Sequence, residues 1–219
     1  MSSHLDLEEQ EQLDELKHFW KQYGNVITWL LIVVMGAYAC WNGYQYWERQ
    51  QSAKASALFD EVERTAAAGD AAKMERAWTD MKERFPGTTF AAQSALLAAR
   101  VFQQADKNDA AQAALKWAGD NASDEASAQL ARIRLANLQV QQKSFDDALK
   151  TLSKPFHASF AGLAADVQGD ILLAQNKSPE AVKAYSDAWK QLADNTDYRR
   201  LVAAKLNALG VDPTTAKAP

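Results

Sequence analysis

Residues 142–152 read Gln-Lys-Ser-Phe-Asp-Asp-Ala-Leu-Lys-Thr-Leu, and this stretch decides the fold. A polar turn leads into an alanine, Ala148, and one helical turn later stands a large apolar residue, Leu152. The arrangement recurs. Ala77, Ala111, Ala148 and Ala181 are separated by 34, 37 and 33 residues, and four residues after them come Met81, Leu115, Leu152 and Tyr185. Twelve residues before the last three alanines lie Ala99, Ala136 and Gly169, all small. Each of these units opens with a polar turn: Asp106-Lys107-Asn108, Gln142-Lys143-Ser144 and Asn176-Lys177-Ser178-Pro179. A period near 34 residues is that of a repeated helix pair. Small side chains let the two backbones cross closely, and the large residue fills the space beside the crossing. This is the tetratricopeptide pattern in a degenerate form. The Trp and Tyr of its first helix are missing or replaced, and the unit around Ala77 matches only in its second helix.

Outward from these alanines the spacing predicts helices over residues 48–68, 71–84, 88–105, 109–119, 124–142, 145–153, 158–175, 179–192 and 196–209. Breaks are expected at Gly69-Asp70, Pro86-Gly87, Gly119-Asp120-Asn121, Lys154-Pro155 and Gly210, with Ser123, Ser144 and Ser178 as N-caps. The residues from 211 to Pro219 read as a disordered tail. Nine Gly and five Pro in 219 residues, with abundant Ala, favour helix over sheet.

Before the repeats, residues 25–47 read NVITWLLIVVMGAYACWNGYQYW, with no charge between Lys21 and Glu48. Twenty-three helical residues span about 34 Å, close to the hydrocarbon thickness of a bilayer. Trp20 and Tyr23 at one end, and Trp41, Tyr44 and Trp47 at the other, are rings that favour the headgroup level. A cleaved signal peptide would need a short basic leader, whereas the preceding 24 residues carry six acids against two lysines. Ala37-Tyr38-Ala39-Cys40 is only a faint lipoprotein cleavage site. The segment therefore reads as an uncleaved anchor. Lys17 and Lys21 before it balance Arg49 and Lys54 after it, so charge leaves the orientation open. Gly36, Ala39, Cys40 and Gly43 share one face, which suits close packing on another membrane helix or a second copy, although small residues are common in single anchors.

The net charge of −4 resides in residues 1–24, where Asp6, Glu8, Glu9, Glu11, Asp14 and Glu15 face Lys17 and Lys21; beyond residue 47 acids and bases balance. Ser3 and Asp6 form a possible capping box for a helix carrying Leu13, Leu16, Trp20 and Tyr23 on one side. Such an acidic helix is repelled by anionic lipid and suits a basic protein partner, or is simply a solvated extension. No basic stripe of the kind nucleic acid requires is present. Cys40 is the only cysteine, so the repeats can form neither an intramolecular disulfide nor a Cys-ligated zinc site. No cofactor or metal motif is visible. His157, the only histidine after the anchor, stands in a turn and reads as solvated. Asp166 and Asp170 are one turn apart; ion pairing with Arg132 and Arg134 is a simpler reading than paired-carboxylate chemistry. The sequence therefore reads as non-catalytic.

In the tetratricopeptide pattern the first helices line a concave surface. Its groove positions, eleven residues before the aligned alanines, are Arg100, Asn137 and Asp170, with Gln93, Gln103 and Asp166 beside them. Arg and Asn there can hold a carboxylate or the backbone of an extended peptide, or form a merely polar solvent face.

The stretch Arg134-Leu135-Ala136, Gln139-Val140-Gln141, Asp147-Ala148-Leu149-Lys150-Thr151-Leu152, Ala164-Ala165-Asp166-Val167, Gly169-Asp170 and Leu172-Leu173 resembles the ancillary SecYEG translocon subunit family. The tail is similar too, with Glu-Gln repeats, Leu16-Lys17, Phe19-Trp20-Lys21 and Tyr23-Gly24. A longer tail and a weaker first repeat depart from the pattern. The resemblance implies a single-pass protein of the bacterial inner membrane, with residues 1–24 cytoplasmic, residues 25–47 in the membrane and a tetratricopeptide-like domain over 48–210 in the periplasm. It further implies association with the SecYEG translocon and with a membrane-anchored periplasmic chaperone of the peptidyl-prolyl isomerase type, and assistance to translocated client polypeptides. The alternative is an anchored repeat scaffold for cell-division or envelope-complex assembly, with a possible homo-oligomer formed through the anchor. The expected fold is all-α: one transmembrane helix, then a superhelix of about four helical hairpins.

Overall fold

A computed structural model describes residues 7–194 and 196–214. Ser3 and Asp6, the possible capping box, lie outside these residues, as does most of the expected disordered tail. Every regular element among the described residues is an α-helix: α1 (Leu7–Ala68), α2 (Ala71–Arg84), α3 (Thr89–Gln104), α4 (Asn108–Asn121), α5 (Glu125–Gln141), α6 (Phe145–Leu152), α7 (Ala158–Ala174), α8 (Ser178–Gln191) and α9 (Asp197–Ala208). The chain divides into two compact units, Met1–Gln50 and Gln51–Pro219.

In the first unit, α1 carries the uncharged segment. Val26, Trp29, Leu30, Leu31, Ile32, Val33, Val34 and Met35 are all exposed, on every side of the helix. An apolar surface that runs all the way round is stable in lipid and not in water. The helix is long and apolar enough to cross a membrane. Its polar side chains bond to its own backbone: Thr28 Oγ1 donates to the Gly24 carbonyl at 2.8 Å, and Asn42 Nδ2 to the Tyr38 carbonyl at 3.3 Å. Such back-bonding satisfies polar groups where no water is available.

The second unit is built from the end of α1 and α2–α9. Ala111, Ala148 and Ala181 are fully buried, and Ala77 is nearly so. Met81, Leu115 and Tyr185 are buried one turn later, and Leu152 is partly buried. The core runs serially. One apolar cluster joins the end of α1 to α5, with Trp78 and Trp117 edge to face at 4.9 Å; the next joins α5, α6 and α7, and the last α7, α8 and α9. Each helix pair thus shares its core mainly with its neighbours, the one-dimensional packing of a repeat protein.

The three turns between paired helices have one geometry. Asp106, Lys143 and Asn176 adopt φ of 57°, 60° and 61°, each five residues before its aligned alanine. At each turn the next amide reaches back to close the helix: Lys107 N to Phe102 O, Ser144 N to Gln139 O and Lys177 N to Leu172 O, at 2.8–2.9 Å. These are Schellman closures, which satisfy carbonyls the helix end would leave unpaired.

Helix limits fall within two residues of those read from the sequence, apart from the first helix, which extends to Leu7. Two local expectations are corrected. Gly119 does not break α4, which runs to Asn121; a Cβ at Gly119 would stand 3.1 Å from Arg132 Cγ, so this glycine permits close approach of α5. The capping side chains are not the predicted serines. Asp124 rather than Ser123 caps α5, Ser178 lies inside α8, and Ser144 occupies the cap position of α6 without a side-chain bond. The Schellman closures at the two latter turns already fix the chain there.

Candidate functional site

The predicted groove residues separate into two groups. Arg100 and Gln103 on α3 and Asn137 on α5 line one cleft of about 280 Å³, together with Arg134 and Gln141 and a floor of Leu96, Ala99 and Leu115. Gln93 is exposed two turns earlier on α3, outside this lining. Neither Arg100 nor Arg134 forms a hydrogen bond or ion pair with a described residue. Burial, and then the neighbouring positive charge of Arg100, hold the Arg134 guanidinium below its ordinary value. Among the described residues, no acidic one lines the cleft.

Asp166 and Asp170 on α7 have a different role. The expected pairing with Arg132 and Arg134 does not form. Lys205 of α9 lies between the two carboxylates instead, at 2.8 and 2.9 Å from the oxygens of Asp166 and 2.7 and 2.9 Å from those of Asp170. Tyr198 donates to Asp166 and Tyr185 to Asp170, both at 2.7 Å. Asp166 is buried, at 1% exposure, and a buried carboxylate is stable only with such partners. Burial, and then the bond to its carboxylate, push both phenols well above the usual tyrosine range. They remain protonated donors. The last helix therefore covers the α7 part of the surface that the sequence pattern assigns to the groove.

Arg132, on the other side of α5, is buried. It faces the Phe156 ring at 4.6 Å and reaches Glu125 at 3.5 Å and the Pro155 carbonyl at 3.4 Å. His157 is exposed, as expected, yet it also shapes the local backbone. Its Nδ1 accepts from the Ser159 amide at 3.3 Å and caps α7, while its own amide donates to Gln129 Oε1 at 2.8 Å. The inter-repeat turn is thereby pinned to α5.

With this architecture the chain matches the tetratricopeptide repeat-like domain over residues 17–211. It is 34% identical over 210 residues to a protein of Neisseria gonorrhoeae (strain ATCC 700825 / FA 1090) named ancillary SecYEG translocon subunit, covering 95% of this chain and 100% of that relative. The chain belongs to the ancillary SecYEG translocon subunit family. Two further relatives carry the same name: one from Escherichia coli (strain K12), 30% identical over 81% of this chain and 85% of that protein, and one from Haemophilus influenzae (strain ATCC 51907 / DSM 11121 / KW20 / Rd), 28% identical over 85% and 95%. Family membership accounts for the order of apolar helix and repeats, since the match extends across both.

The aromatic residues at the ends of the apolar segment, Trp20, Tyr23, Trp41, Tyr44 and Trp47, are all exposed. Positions where Gly36 and Gly43 would carry a Cβ have nothing within 4 Å, and Cys40 is exposed, so this face of small residues is open. Sequence reasoning missed Lys205 and Arg134 as site residues. Tyr198 and Lys205, two turns apart on the last helix, were the available signal for the first. The absence of any nearby acid on α3 or α5 in the repeat alignment was the signal for the second.

Proposed function

We propose that this chain is an ancillary subunit of the SecYEG translocon, a single-pass protein of the bacterial inner membrane with its N-terminal residues in the cytoplasm and its repeats in the periplasm. The observation that carries this reading is the end-to-end similarity to the Neisseria relative of that name. The one helix among the described residues able to span a membrane supports it. At the channel exit the repeats hold newly translocated polypeptide and a membrane-anchored chaperone of the peptidyl-prolyl isomerase type, assisting envelope proteins as they emerge. The α3/α5 cleft supports a binding role: guanidinium and carboxamide groups over leucines suit recognition rather than bond-making. The open face of Gly36, Ala39, Cys40 and Gly43 would pack on a channel helix or on a second copy.

The test is photo-crosslinking in intact cells from probes at Arg100 and Asn137. Capture of translocon subunits and a periplasmic chaperone is expected; capture confined to division or envelope-assembly proteins overturns the reading. A reporter fused after Pro219 should be active only in its periplasmic form, and a cytoplasmic C-terminus removes the periplasmic role. Replacing Gly36 and Gly43 together by leucine should weaken co-isolation with the channel; loss of self-association alone would favour an assembly scaffold.

A further inference from the structure

We propose that the α3/α5 cleft is selective for acidic segments of extended polypeptide, with a carboxylate side chain seated between Arg100 and Arg134. The proposal rests on reading this face as a polypeptide groove and names the chemistry of its occupant. Its first ground is charge. Two guanidiniums line a cleft of about 280 Å³ with no carboxylate in its described lining, within a part of the chain whose acids and bases balance overall. Other cations of the repeats do have carboxylate partners: Lys107 with Glu75, Arg132 with Glu125, and Lys205 with Asp166 and Asp170. Arg100 and Arg134 have no such partner among the described residues.

Their mutual placement is the second ground. Arg100 and Arg134 line one cleft and the charge of the first disfavours that of the second, so the free cleft holds like charges together at a cost. A carboxylate between them removes the repulsion and accepts from both, and a guanidinium fork matches carboxylate geometry better than an ammonium does. The third ground is the rest of the lining. Gln103, Asn137 and Gln141 offer donors and acceptors to an extended backbone, and Leu96 and Leu115 offer an apolar floor beside the charged site. A free inorganic anion would use only the first two of these features. An acidic stretch of polypeptide uses all three.

The experiment uses the full-length chain in detergent. A short extended peptide with glutamates spaced between apolar residues is compared, by fluorescence anisotropy, with the same peptide carrying glutamine at those positions. The glutamate peptide should bind more tightly, and Arg100→Gln or Arg134→Gln should weaken its binding about tenfold, bringing it to the level of the glutamine peptide. Arg134→Glu should reverse the preference toward a lysine-bearing peptide. Added salt should weaken binding to the unaltered protein more than to the arginine variants. Equal affinity for the two peptides, or no loss in either glutamine variant at unchanged thermal stability, overturns the proposal. So does displacement of the peptide by inorganic phosphate at equal concentration. Co-isolation of channel subunits with the Arg100→Gln variant separates this outcome from the previous reading: if it persists while the unaltered protein shows no preference for the acidic peptide, the proposal for the cleft fails and translocon association stands.

Discussion

Gly169 of α7 lies directly against the ring of Tyr185 of α8: a Cβ on Gly169 would stand 2.5 Å from two ring carbons. In the two preceding units the equivalent positions are Ala99 with Leu115 and Ala136 with Leu152, each pair sixteen residues apart. A leucine leaves room for a methyl on the facing helix, and a tyrosine ring does not. The glycine and the tyrosine are therefore one adaptation.

It follows that Gly169→Ala should destabilise the repeats by about 1–3 kcal/mol, the usual penalty for inserting a methyl into a filled interior. Adding Tyr185→Leu should recover part of that loss, because it recreates the Ala–Leu pair of the neighbouring units while giving up the bond from the Tyr185 hydroxyl to Asp170. Denaturant unfolding in detergent checks both. A double variant no more stable than Gly169→Ala alone would show that the ring is not what the methyl meets.

Lys205 compensates a carboxylate that has almost no access to water. Lys205→Met should lower stability by about 3–5 kcal/mol, since it leaves Asp166 buried without a cation. Adding Asp166→Asn should restore much of that loss, because the uncompensated charge is then gone. The comparison is again made by denaturant unfolding. Equal stability of Lys205→Met and the unaltered protein would mean that α9 is held by its apolar contacts alone.

Alkaline pH acts on the same network. Tyr185 and Tyr198 both have their ionisation raised in the folded chain, through burial and then through the carboxylates they donate to. The folded state therefore retains phenolic protons that the unfolded chain releases above its ordinary tyrosine value near 10. Below about pH 10 this contribution is constant; above it, stability falls as pH rises. Tyr198→Phe should flatten that alkaline loss in a series of unfolding curves. An unchanged slope above about pH 10 would remove Tyr198 from the account.

Periodic features were legible in the sequence because they recur or run long. The aligned alanines, the small residues facing them and the uncharged segment each leave a pattern that packing requires. Features that occur once were not legible. Gly119 resembles a helix breaker until the Arg132 side chain is seen against it. Asp166 and Asp170 invite a partner, but the arginines one repeat earlier are the obvious candidates, and only the return of α9 places Lys205 between them. Part of one cleft lining was legible. Arg100, Gln103 and Asn137 do share a cleft. Asp166 and Asp170 meet the conditions of the repeat pattern and are covered by the terminal helix, which a period cannot announce.

The three Schellman turns make a final prediction that depends on backbone alone. Asp106, Lys143 and Asn176 occupy the left-handed region, where a Cβ crowds the following carbonyl; Asn tolerates this region better than Lys. Lys143→Gly should therefore stabilise the domain by about 0.5–1 kcal/mol, the relief of left-handed strain less the extra chain entropy of glycine. Asn176→Gly should gain less. The Lys143 change leaves the closing bond from the Ser144 amide to the Gln139 carbonyl in place, so the helix limits should not move. Parallel unfolding curves with shifted midpoints are the expected readout. A destabilised Lys143→Gly would mean that the lysine side chain contributes more at this turn than its backbone strain removes.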